Sequence, residues 1–387
     1  MWMDGRKPDK YNKKMKVLFF GGLACGGAEH QMVIVAKQLA ERGFEVLFVT
    51  QDGNGFFRED LDKSKVRVVV IPRKRLVEKA KFNILYFIFF LNNVVKKEKV
   101  EVGVSFLAEN NFVNCVVGML THGKYKAITG LRNARESLLL SKRELLYTKF
   151  ERFASIKICN SDNAKRMYAK YFPQYTNQLD TIYNIVNLPE ISSKYLIRQN
   201  GKVHFIVPAS YREVKNPYGL LEALKLMSDK ELSMFDITWY GQSNKGTLPY
   251  YIKLKKDIEN NNLHHVFILK DATTDIANRM NEADVVALFS SSEGLPNAIC
   301  EGMMLGKPIV MTRVSDYAIL VDKSNGCLCD WNDPESIKKA LFEMVLSNNE
   351  TMLAMGKSSR DKAVSLFSEE SNIGKWAEIV ENVKKGN

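Results

Sequence analysis

Thirteen short runs rich in β-branched and aromatic residues punctuate this chain, with helical patterns between them. In the first half they are KVLFFGG (16–22), FEVLFVTQ (44–51), VRVVVIP (66–72), VEVGVSF (100–106), KAITGLR (126–132), IKICNS (156–161) and LDTIYN (179–184). In the second they are HFIVPAS (204–210), FDITWYG (235–241), VFILK (266–270), ADVVALFS (283–290), PIVMTR (308–313) and GCLC (326–329). Strands separated by helices such as 29–43 and 216–227 return through crossovers, not hairpins, so they build parallel sheets. The expectation is α/β: two Rossmann-like, doubly wound parallel-sheet domains facing a central cleft. Segment 186–202 is polar and aperiodic, as a linker would be. The predicted organisation is a basic leader at 1–14, a first domain at 15–185, the linker, a second domain at 203–366, and a final helical segment at 367–387 packing back toward the first domain. Ligands of open α/β sheets bind beyond the strand C-termini, so chemistry is sought in loops that follow strands.

Charge divides the two halves. Residues 1–190 hold 32 Lys+Arg against 19 Asp+Glu, a balance of +13, while the remaining 24 and 25 give −1. A basic first half calls for an anionic partner: nucleic acid, anionic lipid or a phosphorylated substrate. No RNA-binding signature accompanies the charge, which makes nucleic acid the weakest of the three. The alternative is a generic basic surface. The apolar stretch 82-FNILYFIFFLNNVV-95 is shorter than the ~20 apolar residues that span a bilayer. It is flanked by Arg73, Lys74, Arg75, Lys79 and Lys81 before it and Lys96, Lys97 and Lys99 after it. Both an interfacial helix and a buried helix with a basic rim fit that pattern. The cysteines at 25, 115, 159, 300, 327 and 329 offer no second pair to complete a zinc site and read as buried thiols. The first 14 residues lack the apolar core of a signal peptide.

Two loops stand out. After the first strand, Gly26 and Gly27 precede a helix, where close backbone approach and free N–H groups suit an anion, or where a tight turn is needed. The G-x-G-x-x-G spacing of a dinucleotide site and the Lys-Ser/Thr of a P-loop are both absent, which disfavours an NAD enzyme. After ADVVALF comes 290-SSSEGLPNAICEGMMLGKPIVMT-312. Pro296 suits a first helical position, so the N–H groups of Leu295, Asn297 and Ala298 would face the cleft. Glu293 and Glu301 flank that helix start. Carboxylates on both sides of an anion site suit a ligand with hydroxyls on either side of a diphosphate.

These residues resemble the Glu–seven residues–Glu motif of the retaining family 4 glycosyltransferases (glycosyl transferases group 1), whose fold is GT-B. The likeness extends to the GGAE loop, SFL (105–107), ITGLRN (128–133), NSDN (160–163), IYN (182–184), KNP (215–217) and the closing Trp-containing helix. It implies that Glu293 contacts the donor sugar, Glu301 the nucleotide ribose, and the backbone from Gly294 to Ala298 the diphosphate. Lys215 matches the family lysine on the leaving diphosphate. The usual arginine position, five or six residues earlier, holds Ser210 or Ala209, and Arg212 is displaced along the loop. Gly241 resembles a family glycine near the phosphates, and Leu269 and Lys270 lie where the base usually rests. Many family members carry a His where this chain has Arg132 and Asn133. Arg132 is then either an acceptor-phosphate ligand or the partner of Glu136. His122 reads as a turn residue.

The resemblance implies a retaining transferase, with a UDP-sugar as the expected donor and a saccharide or polyprenyl-diphosphate-linked saccharide as acceptor. Capsule, lipopolysaccharide or exopolysaccharide assembly at the cytoplasmic face of a membrane is the implied setting. No metal or other cofactor is expected, since Lys215, Arg212 and helix N–H groups supply positive charge. The competing classes are a GT-B epimerase or phosphorylase, for which no proton-moving residues are evident, and a non-catalytic nucleotide-sugar-binding subunit, against which Glu293, Glu301 and Lys215 argue.

Overall fold

The computed structural model describes residues 15–24, 26–72, 80–132, 141–186, 188, 201–243 and 246–385. A first sheet contains β1 (Lys16–Phe20), β2 (Glu45–Thr50), β3 (Arg67–Val70), β4 (Val102–Phe106), β5 (Lys126–Leu131), β6 (Ala154–Cys159) and β7 (Leu179–Thr181), in the order β3-β2-β1-β4-β5-β6-β7. A second contains β8 (Val203–Pro208), β9 (Phe235–Gly241), β10 (Phe267–Asp271), β11 (Val285–Leu288), β12 (Ile309–Thr312) and β13 (Gly326–Cys329), in the order β10-β9-β8-β11-β12-β13. All pairings are parallel: Leu18 lies opposite Leu47 and Gly103 in the first sheet, and Ile206 opposite Thr238 and Val286 in the second. Every strand-like run in the sequence becomes a strand; β9 and β13 keep the predicted bounds, and the largest difference is in β7, which ends three residues early at Thr181.

Between the strands of the first half lie α1 (Gly27–Glu41), α2 (Arg58–Asp62), α3 (Ala80–Glu98), α4 (Ala108–Leu120), α5 (Lys142–Thr148) and α6 (Asp162–Tyr171). The second half adds α7 (Pro217–Lys225), α8 (Asp229–Leu232), α9 (Leu248–Asn260), α10 (Ile276–Glu282), α11 (Asn297–Met304), α12 (Tyr317–Leu320), α13 (Pro334–Leu346), α14 (Asn349–Phe367) and α15 (Glu369–Lys385). Several helix starts are written in the sequence. Ser161 accepts from Ala164 N–H, Asn348 from Thr351 N–H, and Asp333 precedes Pro334 and accepts from Ser336 N–H.

The β-branched strands are buried because helices cover both sheet faces. In the second half Trp239 is fully buried and gives its indole N–H to the Ala209 carbonyl at 2.6 Å. The first core is completed from the far end of the chain. Ile373, Trp376, Val380 and Val383 of α15 join the cluster formed by β1, β4 and α1, and Trp376 lies 5.9 Å from the Phe106 ring. The chain crosses between the halves under restraint: Gln31 donates to Ile185 O and accepts from Ile185 N, and Val186 N donates to Phe367 O.

The apolar stretch of the first half forms α3, which buries Phe87, Leu91 and Val95 while Leu85 and Phe89 are each 64% exposed. It therefore serves as a core helix and also carries an exposed apolar ridge. No described helix is long and apolar enough to cross a membrane. Arg73, Lys74, Arg75 and Lys79 lie outside the described residues, whereas Lys96 and Lys97 close the last turn of α3. The described cysteines are buried and unpaired. His122 is exposed in a turn at φ +50°.

Candidate active site

Each sheet reverses strand order once: between β1 and β4 in the first, and between β8 and β11 in the second. Crevices open at such switch points beyond the strand C-termini. The loop after β8 carries Lys215, and the loop after β11 carries Glu293. Lys215 Nζ lies 2.5 Å from Glu293 Oε1, and Ser290 donates to the same oxygen at 2.6 Å. The loops are also tied by backbone, since Ser291 N donates to Val214 O. Local chemistry explains the lysine's placement. Glu213–Lys215 is one turn of 3-10 helix, and Asn216 follows in the left-handed region at φ +59°, where asparagine is tolerated. The Asn216 side chain then caps α7 by accepting from Gly219 N–H, with Pro217 in its first turn.

Helix α11 starts at Asn297. Pro296 is one position earlier than the sequence reading placed it: its ψ of 91° is extended, and its carbonyl accepts the first helical N–H groups, those of Ile299 and Cys300. The consequence for the cleft is unchanged. The N–H groups of Leu295, Asn297 and Ala298 have no acceptor among the described residues, as expected at a helix start. Glu301 lies one turn on. Burial pushes its carboxyl up to about 7, so a hydroxyl donor to it would replace lost solvation.

The two halves meet at this helix start. A Cβ on Gly294 would stand 2.7 Å from the Arg132 carbonyl oxygen, and one on Gly27 would stand 2.6 Å from Asn297 Nδ2. Gly26 is the uncapped residue before α1, so that turn opens onto the cleft. The Gly294 carbonyl accepts from Ser161 Oγ at 2.7 Å and from Ser315 Oγ at 2.5 Å. Asn297 Oδ1 accepts from Asn184 Nδ2 at 2.7 Å, and Asn184 Oδ1 accepts from Arg132 Nη1 at 2.8 Å. The Arg132 guanidinium lies 3.7 Å over the Phe106 ring, and burial pushes its pKa down to about 9. Its Nε has no partner among the described residues. Asn133 and Glu136 lie outside the described residues.

Arg212 is not in the Lys215–Glu293 contact. Its side chain is exposed and lines a groove of about 860 Å³ with Tyr218, Tyr250, Lys253, Ser292 and Trp331. Gly241 ends β9 beside Tyr211, whose hydroxyl donates to Trp239 O and to Lys270 O. Leu269 is half-buried and Lys270 exposed at the end of β10. Sequence reasoning assigned no role to Ser161, Asn184, Ser290, Ser315 or Asp316. The quoted NSDN and IYN segments contain the first two, whereas nothing in the sequence singled out Asp316.

Two family models match in succession: Glycosyltransferase Family 4 over residues 25–190 and Glycosyl transferases group 1 over 189–362. Among curated relatives, an uncharacterised glycosyltransferase from Methanocaldococcus jannaschii is 31% identical over 34% of this chain and 37% of its own. An Escherichia coli UDP-Gal:alpha-D-GlcNAc-diphosphoundecaprenol alpha-1,3-galactosyltransferase is 26% identical over 50% of this chain and 49% of its own. The matches thus span between about a third and a half of these relatives. Solved structures align over nearly the whole chain. HepE of Anabaena in complex with UDP and glucose has a TM-score of 0.78 at 18% identity, covering 95% of this chain and 100% of that one. WaaG, a glycosyltransferase involved in lipopolysaccharide biosynthesis, has a TM-score of 0.69 at 16% identity, covering 94% and 99%. At such identities they show the fold, which is GT-B.

Proposed function

From the premise that this chain belongs to the family 4, group 1 glycosyltransferases, we propose that it moves a sugar, with retention at the anomeric carbon, from a UDP-sugar to a saccharide carried on a polyprenyl diphosphate. The observation that carries the donor side is the Lys215–Glu293 contact at the switch point of the second sheet, beside the open start of α11. As the sugar–phosphate bond breaks, negative charge grows on the leaving diphosphate. Lys215 and the N–H groups of Leu295, Asn297 and Ala298 stabilise it, which is the work preorganised donors do best. No metal is needed for that step. Glu293, with one oxygen held by Lys215 and Ser290, offers its other to sugar hydroxyls, and Glu301 takes the ribose hydroxyls. The acceptor hydroxyl attacks on the leaving-group face, and the donor phosphate takes its proton.

The E. coli relative is named for a diphosphoundecaprenol-linked acceptor, and this chain's basic first half suits such a substrate. Leu85 and Phe89 on α3, with Lys96 and Lys97 at its end, are the apolar ridge and cations of a surface that rests on anionic lipid. On this reading the enzyme works peripherally at the cytoplasmic face of a membrane, in cell-surface polysaccharide assembly. Isothermal titration with UDP, GDP, ADP and their sugars tests the donor assignment: UDP ligands bind in the micromolar range, and an absence of binding by any nucleotide sinks the proposal. Proton NMR of the product made from a lipid-linked acceptor reads the anomeric configuration. An inverted product removes the retaining mechanism alone.

A further inference from the structure

Asp316 lies in the loop after β12 in the donor half, yet its side-chain hydrogen bonds are to the other half. Its side chain is fully buried. Oδ2 accepts from Asp162 N at 2.7 Å and Tyr183 OH at 2.8 Å, and Oδ1 accepts from Asn163 N at 2.7 Å. Arg166 Nη2 stands 3.4 Å from Oδ1. Asp162 and Asn163 open α6, so a carboxylate from one half closes the positive end of a helix in the other. Burial, and then that carboxylate, push the Tyr183 hydroxyl well above its usual value, so it stays a donor. The preceding residue, Ser315, is left-handed at φ +58°. A non-glycine residue is strained there, and such strain persists only when the surrounding contacts hold it.

This clasp acts on the donor loop through one residue. Ser161, the N-cap of α6, donates its hydroxyl to the Gly294 carbonyl, and Ser315 donates from the other side. Two hydroxyls therefore fix the direction of the Gly294 C=O. In a trans peptide the N–H lies opposite the C=O, so the same bonds fix Leu295 N–H, the first free donor of the α11 start. One of the two hydroxyls comes from the opposite half and is held in place by Asp316.

We propose that Asp316 is a positioning residue that, through α6 and Ser161, orients the Gly294–Leu295 peptide so that Leu295 N–H faces the donor diphosphate only while the two halves are clasped. The inference rests on the reading that the α11 start holds that diphosphate. Glu301 holds the nucleoside directly and is independent of the clasp.

The test is calorimetric titration of the full chain with UDP and with uridine, which lacks the phosphates. It compares the unaltered chain with Asp316→Ala, Ser161→Ala, the double variant and Glu301→Ala. Asp316→Ala and Ser161→Ala each weaken UDP tenfold or more while uridine changes less than twofold. The double variant is no more than twofold weaker than either single one, because both act on one peptide. Glu301→Ala instead weakens UDP and uridine alike. If both single variants hold UDP as the unaltered chain does, or lose uridine in the same proportion, the positioning role is overturned while the donor site stands. If the unaltered chain does not bind UDP, or Glu301→Ala leaves binding unchanged, the donor reading falls and this inference falls with it. Circular dichroism checks folding; should Asp316→Ala not fold, Tyr183→Phe with Ser161→Ala gives the same comparison.

Discussion

At the switch point of the second sheet, a lysine and a glutamate meet at 2.5 Å beside an open helix start. At the switch point of the first, the chain presents Gly26 and Gly27 after β1 and Leu107 after β4, the last at φ +71° and 43% exposed. The donor half thus builds its crevice from charged side chains on short loops. The first half builds its crevice from backbone shape and holds the cation Arg132 over the Phe106 ring. On the proposed function, matching sheets serve different tasks: one binds a small anion by local charge, and the other leaves room for a larger partner that meets charge elsewhere on its surface.

The largest effect separates the two cores. Trp376→Ala removes a buried indole from the first core and costs about 3–5 kcal/mol. Urea unfolding followed by circular dichroism shows the first half melting early while the second keeps its transition; a single unshifted transition would show that α15 does not belong to the first core energetically. Next comes Lys215→Ala, which lowers UDP release from the donor sugar by about 10²–10³-fold. Arg212→Ala, in the groove outside the ion pair, changes the same rate by less than about tenfold, and equal losses would place Arg212 on the diphosphate after all.

Glu301→Gln weakens UDP by about tenfold, the loss of a hydrogen bond to a charged acceptor. It has an opposite effect on stability. The Glu301 carboxyl is held up to about 7 in the folded chain against an ordinary 4.5. Between those values the folded state binds more protons than the unfolded one, so stability falls as pH rises through that window and the loss is complete above it. The glutamine variant therefore melts higher than the parent at pH 8 and at the same temperature near pH 4.5, by differential scanning fluorimetry. The smallest effect is on the outer face of the first half. Leu85→Ser with Phe89→Ser weakens sedimentation with phosphatidylglycerol vesicles at low salt by about fivefold, with melting changed by less than about 0.5 kcal/mol because both side chains are already exposed. Unchanged sedimentation removes α3 from the lipid contact.

Much of this was legible because it is local. Strand runs such as FDITWYG and GCLC, caps such as Asn216 before Pro217, and the pair Glu293 and Glu301 at one helix start are patterns of neighbouring residues whose physics acts within a turn or two. Pro296 was misplaced by one position because a proline fits both sides of a helix start until its ψ is known. Arg132 could be paired with a near neighbour on paper. Its resolved partner, Asn184, is 52 residues away. Asp316 and Ser315 were invisible for the same reason. The partners of Asp316 lie about 150 residues away across the cleft, and that of Ser315 lies 21 residues away on another loop of the same half, beyond the reach of any spacing rule.

The last helix carries a consequence for how such a molecule is made. The first sheet emerges first during synthesis, but Ile373, Trp376, Val380 and Val383, which join its core, are added only after the whole second sheet. The first half must wait with an open apolar groove while the entire second half is translated. The donor half, whose two core clusters reach no further along the chain than Phe367, closes earlier. The half written first is therefore finished last, and a ribosome that stalls before α15 releases a chain whose donor half is whole and whose first half is not.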